Sequence, residues 1–180
     1  ARERLLQDLR VTNMELTSRA LTDVLTGVPN RRALMQELQR MQDRAARDAG
    51  SLQVAFIDLD GFKRINDRYG HEAGDAFLIE VARRLKTVIR AGDFLGRYGG
   101  DEFVVLAVSA NPDELGKRLE QVTIGYYRCG DHDFEYAGAS VGVVTALAQD
   151  KTPEMLVARA DAAMYAVKRA RAGSDGSPRS

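Results

Sequence analysis

The segment Arg97-Tyr98-Gly99-Gly100-Asp101-Glu102-Phe103 joins two glycines and two carboxylates to an apolar run that continues to Val108. Glycine adopts positive φ without steric cost, so the pair predicts a tight turn, and the β-branched and aliphatic residues after it predict a strand. We therefore expect a β-hairpin formed by 94–98 and 103–108. Carboxylates raised on such a turn suit Mg²⁺, which takes oxygen ligands. An ordinary solvated acidic turn is the alternative.

A second acidic cluster favours the metal site over the solvated turn. Asp58 and Asp60 close an apolar run that begins at Leu52, and Gly61 follows them. The run predicts a buried strand over 52–59 with both carboxylates on one face, although either could instead cap the next helix. If this strand lies beside the hairpin, Asp58 and Asp101 converge on one metal, as two-metal nucleotidyl transfer requires.

Five segments in this order resemble the GGDEF domain, the catalytic domain of diguanylate cyclases, over roughly 21–168. They are Asp23–Arg32 (DVLTGVPNRR), Asp58–Lys63 (DLDGFK), Asn66–Asp75 (NDRYGHEAGD), the glycine-glycine signature itself, and Ala160–Lys168 (ADAAMYAVK), with Ser140-Val141-Gly142 between the last two. The resemblance implies an α+β fold: a mainly antiparallel central sheet flanked by helices, palm-like as in nucleotidyl cyclases, with a ferredoxin-like core.

The resemblance also implies an activity and a set of catalytic groups. A diguanylate cyclase joins two GTP into cyclic di-GMP and two pyrophosphates, as a homodimer, with two Mg²⁺ (or Mn²⁺) per active site. It places Asp58, Asp101 and the backbone carbonyl of Leu59 on the metals. Asp101, with Glu102 beside it, would help to deprotonate the attacking ribose 3′-hydroxyl. The alternatives are a catalytically silent domain that binds GTP or cyclic di-GMP, and a cyclase that uses ATP.

The resemblance assigns a further group to the substrate: Phe62, Lys63, Asn66, Asp75, Gly99, Gly100 and Lys168. The backbone near Lys63 begins a helix, where free N–H groups bind phosphate; a solvated lysine is the alternative. Asn66 and Asp75 match the positions that recognise guanine, whose donors and acceptor suit a carboxylate and an amide. Asp75 could instead be a helix N-cap after Gly74.

Two features near helix ends concern regulation and phosphate binding. Arg90-Ala91-Gly92-Asp93 matches the inhibitory product site of the family, because Arg offers a fork for phosphate or guanine and Asp accepts guanine donors. A surface ion pair is the alternative. The family usually has an Arg four residues after Lys168, but Ala172 stands there. Two outcomes are open: a small register change would let Arg171 take this role, and without it triphosphate affinity should fall.

The organisation of the 180 residues is that of one domain with an appendage. Leu5, Leu9, Thr12, Leu16 and Arg19 follow a short heptad pattern, which predicts either a dimerising stalk or a helix packed on its own domain. We expect a helical linker from an upstream sensory module over 1–22, the catalytic domain over 23–172, and a disordered tail over 173–180. The chain lacks an initial Met, so we expect it to be part of something longer.

The composition excludes several classes of protein. The formal net charge is zero, so no global field attracts nucleic acid or an anionic membrane. The single cysteine, Cys129, excludes an internal disulfide and fits the cytoplasm. No apolar run approaches the roughly 20 residues of a membrane span.

The remaining elements follow from periodicity and turn residues. We expect helices over 31–47, over 63–68, from about 71 to 88, from Asn111 to about 120, and from Pro153. We expect strands over 123–128 and 134–145, joined by a turn over 130–133.

Overall fold

The computed structural model describes residues 2–108 and 110–174. Its helices are α1 Arg2–Leu21, α2 Arg31–Asp48, α3 Phe62–Tyr69, α4 His71–Val88, α5 Pro112–Thr123 and α6 Pro153–Ser174. Its strands are β1 Leu52–Asp58, β2 Phe94–Arg97, β3 Glu102–Val108, β4 Gly125–Cys129, β5 His132–Tyr136 and β6 Ser140–Thr145. Gly173 and Ser174 belong to α6, so the predicted tail does not begin at 173; its last six residues, 175–180, lie outside the described residues.

The central sheet has the order β2-β3-β1-β6, and each neighbouring pair is antiparallel. β1 lies between β3 and β6, so both of its edges are hydrogen-bonded. The predicted α+β fold with a mainly antiparallel sheet flanked by helices is confirmed.

Side chains alternate along β1 and separate the core into two clusters. Val54 and Phe56 pack with Leu34 of α2 and Leu156 of α6 on one face. On the other face, Ala55 and Ile57 belong to a cluster with residues of α4 and α5. Because successive strand residues point to opposite faces, a continuous apolar run is what a strand covered on both sides requires.

Two predicted helices begin at the expected polar caps. Asn30 accepts a hydrogen bond from Ala33 N at the start of α2, and Asn111 accepts from Asp113 N and Glu114 N at the start of α5. Pro153 lies in the first turn of α6, where its missing N–H has no intrahelical acceptor to lose. α5 ends at Thr123, so the strand predicted from 123 begins only at Gly125.

The strand predicted over 134–145 is wrong, because it is two strands in different sheets. β5 pairs with β4 in a separate two-stranded sheet, and β6 pairs with β1. Gly138 lies between them with φ 111°, a conformation that side chains rarely adopt. The turn predicted over 130–133 is also shorter, since His132 already pairs with Cys129.

α1 keeps the apolar residues of the heptad pattern in solvent. Leu5, Leu9 and Leu16 are 62%, 58% and 61% exposed. The alternative of a helix that packs this face on its own domain is therefore wrong for these side chains. No helix in the described part of the chain has the length and hydrophobicity needed to span a bilayer.

Candidate metal and nucleotide site

The end of β1 and the glycine-glycine turn meet through the antiparallel register of β1 and β3. Asp58 pairs with Glu102, and Leu59 N donates to the carbonyl oxygen of Asp101 at 3.0 Å. Within the turn, Tyr98 N donates to Glu102 O at 2.8 Å. The predicted hairpin is confirmed, and Asp101 lies beside the last residue of β1.

Burial and a neighbouring carboxylate shape the chemistry of Asp58. Burial raises the pKa of its carboxyl, and the charge of Asp101 raises this pKa further. Lys168 Nζ lies 3.3 Å from Asp58 Oδ1 and 3.6 Å from Asp60 Oδ1. These carboxylates outweigh burial and raise the pKa of Lys168, so the ammonium form is favoured. Both Oδ1 atoms are buried and accept no hydrogen bond from the described residues.

Glu102 is influenced by the same group of carboxylates. Burial raises the pKa of its carboxyl, followed by the charges of Asp101 and Asp58. A Cβ on Gly99 would lie 2.2 Å from Glu102 Oε1. A side chain at position 99 would therefore displace the end of the Glu102 carboxylate, whereas Gly100 has open space around it.

These donors fit a hard divalent cation. Two carboxylates with adjacent backbone carbonyls offer only oxygen ligands, and a cation at Asp58 Oδ1 would share this oxygen with the Lys168 ammonium, which lies 3.3 Å away. The Leu59 carbonyl accepts one bond, from Phe62 N at 3.2 Å, which leaves it a second lone pair. Among residues 2–108 and 110–174, no group of three or more His, Cys, Asp or Glu side chains is arranged to hold a metal. Few protein ligands are what Mg²⁺ requires when substrate phosphates complete its shell.

The start of α3 presents backbone donors without a side-chain cap. Gly61 is the N-cap residue, with φ 75° and no capping hydrogen bond from a side chain. Lys63 follows in the first turn with an exposed side chain. Free N–H groups and the helix dipole favour an anion at this end.

Asn66 and Asp75 lie on the facing helices α3 and α4. Asn66 Oδ1 is buried and accepts no hydrogen bond from the described residues. It lies so close to Gly74 that a Cβ there would be 1.8 Å away. Asp75 is exposed in the second turn of α4, and Gly70 is the N-cap. The N-cap alternative for Asp75 is therefore wrong. The side chain of Phe62 stacks on Phe77, with ring centroids 6.4 Å apart.

The guanidinium of Arg171 is engaged within the protein. It pairs with Glu120 of α5, lies 3.3 Å from Asp60 Oδ2, and donates to Ala139 O at 2.9 Å. Ser140 Oγ also donates to Asp60 Oδ2, at 2.5 Å. Arg171 thus ties the end of α6 to α5 and to the start of β6. These contacts oppose the expectation that Arg171 serves the triphosphate.

Arg90 and Asp93 form a turn just before β2, at the opposite end of that strand from the acidic cluster. Arg90 N donates to Asp93 Oδ2 at 2.8 Å, and Asp93 N donates to Arg90 O at 3.0 Å. No ion pair joins the two side chains in the described structure, so the ion-pair alternative is wrong. They line a cavity of about 460 Å³ together with Arg40 and Arg44 of α2.

Asp23 and Arg97 contribute to the site in a way that was not predicted from the sequence. Arg97 forms an ion pair with Asp23 at 3.1 Å, and both side chains are largely buried. The signal was present in the arrangement Asp23-x-x-Thr26, because Asp23 accepts from both Thr26 N and Thr26 Oγ1. The partner 74 residues away had no local signal.

Comparison with protein families gives a match over most of the chain. Residues 20–174 match the family described as "Diguanylate cyclase, GGDEF domain". The chain is 42% identical over 171 residues to the diguanylate cyclase DgcP of Escherichia coli K12, covering 93% of this chain and 50% of that protein. It is 41% identical to the bifunctional diguanylate cyclase/cyclic di-GMP phosphodiesterase MucR of Pseudomonas aeruginosa, covering 87% of this chain and 23% of that protein. The chain thus spans half or less of these relatives.

Solved structures show the same architecture. The coiled coil and GGDEF domain of DgcB from Caulobacter crescentus, solved in complex with c-di-GMP, superimposes with a TM-score of 0.83. It is 28% identical and covers 93% of this chain and 91% of that one. A sensory box/GGDEF family protein from the same organism gives a TM-score of 0.78 at 38% identity, covering 83% of this chain and 99% of that one.

Proposed function

The chain belongs to the GGDEF domain family of diguanylate cyclases, and from this premise we propose that it condenses two GTP into cyclic di-GMP and two pyrophosphates. The observation that carries the proposal is the register of β1 against β3, which brings Asp58 and Asp101 together at the end of the sheet. Intact carboxylates at this point argue against a silent domain that only binds nucleotide.

The groups around this point suit phosphoryl chemistry. Diguanylate cyclases of this family are generally metal-dependent, and the proposal is that Asp58, Asp101 and the Leu59 carbonyl hold two Mg²⁺ or Mn²⁺. Such ions would offset the charge of the triphosphate and favour loss of the 3′-hydroxyl proton. Lys63, Lys168 and the open N-terminus of α3 would bind the phosphates.

The proposed reaction has balanced bonds and protons. The 3′-oxygen of one GTP attacks the α-phosphorus of the other, and the bond from that phosphorus to pyrophosphate breaks. The 3′-hydroxyl proton passes to a carboxylate, for which Asp101 is the candidate. Glu102 is the neighbouring acid, and its raised pKa makes it more ready to hold a proton.

Selection of guanine is assigned to Asn66 and Asp75. A carboxylate accepts the N1–H and N2–H donors of guanine, and an amide complements O6. O6 would accept from Asn66 Nδ2, whereas the buried Asn66 Oδ1, which has no partner within the described residues, is an acceptor and can pair only with an N–H of the base. Adenine would leave the Asp75 carboxylate unpaired, at a cost of about 1–3 kcal/mol.

A homodimer is part of the proposal, because each domain holds one GTP and the two must face each other. The exposed apolar residues of α1 support it, since a second helix would cover them. Control by an upstream sensory domain, a cytoplasmic location and inhibition by cyclic di-GMP at Arg90 and Asp93 complete the proposal.

The test is an incubation with GTP and Mg²⁺, followed by chromatography of the products. Cyclic di-GMP and pyrophosphate are the expected products, and EDTA should prevent their formation. ATP in place of GTP should give no cyclic product. A folded dimer that binds GTP without converting it would support the silent domain instead.

A further inference from the structure

A cavity of about 620 Å³ opens beside the proposed phosphate site, between α3, β5 and the end of α6. Its charged lining consists of four basic and two acidic side chains: Arg64, Arg68, Lys168, Arg171, Asp60 and Glu135. The excess of basic groups beside the start of α3 suits a polyanion.

Three of the four basic groups have contacts within the protein. Arg171 pairs with Glu120 and Asp60, and Lys168 lies 3.3 Å from Asp58 Oδ1. The guanidinium of Arg68 lies over the ring of Tyr69, 5.2 Å from its centroid.

Arg64 differs from these groups. No described residue forms a hydrogen bond or ion pair with its guanidinium. Arg64 Nη2 lies 3.1 Å from the position that a Cβ on Gly61 would occupy. The guanidinium therefore folds back over the N-cap of α3, where no side chain caps the helix end. This places a bidentate donor where the helix end already favours an anion.

We propose that Arg64 is a substrate-binding residue that contacts the terminal phosphates of GTP, and that Arg171 acts only by fixing the structure. This inference rests on the proposed function. Arg64 can reorient toward a ligand without breaking an internal contact, whereas Arg171 would have to leave Glu120, Asp60 and two carbonyl groups. The fork of a guanidinium matches phosphate oxygens better than a point charge does.

The contact predicts a dependence on the number of phosphates. Arg64→Ala should weaken binding of an α,β-methylene analogue of GTP about tenfold, since a charge-assisted hydrogen bond contributes roughly that factor. Binding of GMP should not change, because GMP lacks the terminal phosphates. The melting temperature should stay at the parental value, since the side chain is exposed and without partners.

Calorimetry in Mg²⁺ buffer tests the proposal on the whole chain, with Arg68→Ala as the matched control. That variant removes the same charge from the same cavity one turn further along α3, and the analogue should bind it nearly as well as the parent. If the Arg68 and Arg64 variants lose affinity for the analogue equally, the effect comes from the general electrostatic field of the cavity. That result would overturn the proposed contact between Arg64 and the terminal phosphates. An equal loss for GMP, or no loss for the analogue, would do the same.

Arg171→Ala distinguishes the structural role proposed for Arg171 from the binding role proposed for Arg64. We expect a lower melting temperature for this variant and near-parental affinity for the analogue in the folded protein. Parental stability with a tenfold loss of affinity would make Arg171 the phosphate-binding residue and overturn the inference. A parent that does not bind the analogue at all would reject the proposed function together with it.

Discussion

Arg97 Nη1 donates to both carboxylate oxygens of Asp23, each at 3.1 Å, across 74 residues of sequence. The same guanidinium donates from Nε to Gly99 O at 3.2 Å and from Nη2 to Gly100 O at 2.7 Å. One side chain therefore holds the segment after α1 and the turn that carries Asp101. A movement of α1 that displaces Asp23 would be transmitted to the turn that carries Asp101 through the side chain of Arg97.

Asp23→Asn should destabilise the protein at neutral pH. Burial acts to raise the pKa of Asp23, but the bonds from Thr26 and Arg97 outweigh it and the pKa is lowered. A lowered pKa contributes stability above the ordinary pKa of the group, and this stability is lost as the pH falls through the folded-state value. We expect a loss of about 1–3 kcal/mol near pH 7.

Thermal unfolding from about pH 3 to about pH 7 checks this, since an ordinary Asp titrates near pH 4. The difference between variant and parent should shrink toward the acid end, where the parental carboxylate is protonated as well. Asp67→Asn is the control, because Asp67 is exposed. A constant difference at all pH values would show that the charge of Asp23 is not what stabilises the fold.

Asp101→Ala should abolish formation of cyclic di-GMP while the protein stays folded. The contact of Asp101 with β1 is made by its backbone carbonyl, which the substitution retains. The variant loses a proposed metal ligand and the proposed acceptor of the 3′-hydroxyl proton together. Circular dichroism and product chromatography measure the two effects, with Asp131→Ala on the exposed β4–β5 turn as control. A folded variant that converts GTP at near the parental rate would reject the assignment of Asp101 to the metal and to the proton transfer.

Much of the site could be predicted because its signals are local or repeat along the chain. The apolar run ending at Asp58 predicts a buried strand, and the two glycines predict the turn before β3. Their adjacency then follows if the two strands pair, which the structure confirms through Asp58 and Glu102. Local patterns were sufficient here because the carboxylates stand at the ends of elements whose boundaries are sharp.

Other features depend on contacts that no local pattern encodes. The split between β5 and β6 was missed because the sequence gives no clear break between them, whereas in the structure the strands are separated at 137–139, where Gly138 has a positive φ. The direction of the Arg171 side chain is set by Glu120 on another helix. The N-cap alternative for Asp75 failed because α4 begins at His71, one turn earlier than the acidic residue suggested.

Gly74→Ala should weaken GTP binding although alanine favours helices. In an unhindered helix interior the change stabilises by about 1 kcal/mol. Here the new Cβ would lie 1.8 Å from Asn66 Oδ1, so the amide must move. We expect a higher KM for GTP. Gly173→Ala in α6 has no neighbour within 4 Å and should leave KM unchanged. A parental KM in the Gly74 variant would argue that Asn66 does not bind the base.

Asp75→Ala should lower affinity for GTP with little change in stability. The side chain is exposed inside α4 and caps no helix end, so folding does not depend on it. The base would lose the acceptor for its two donors, and discrimination against ATP should fall with it. Calorimetry with GTP and ATP analogues, beside a melting curve, measures both. Unchanged GTP affinity in the variant would remove Asp75 from the guanine site.

Arg90→Ala and Asp93→Ala should both relieve inhibition by cyclic di-GMP, but they should differ in stability. The Asp93 carboxylate accepts a hydrogen bond from Arg90 N, so its loss should cost about 1 kcal/mol. The exposed Arg90 side chain pairs with no described residue, and Arg90→Ala should have the melting temperature of the parent.

Neither residue lies at the acidic cluster, so initial rates should stay parental while product accumulates further late in a time course. Cyclic di-GMP shifts two domains toward one arrangement if it binds that arrangement more tightly than the others. Calorimetry decides the matter: cyclic di-GMP that binds the Arg90 variant as tightly as the parent would place the inhibitory site elsewhere.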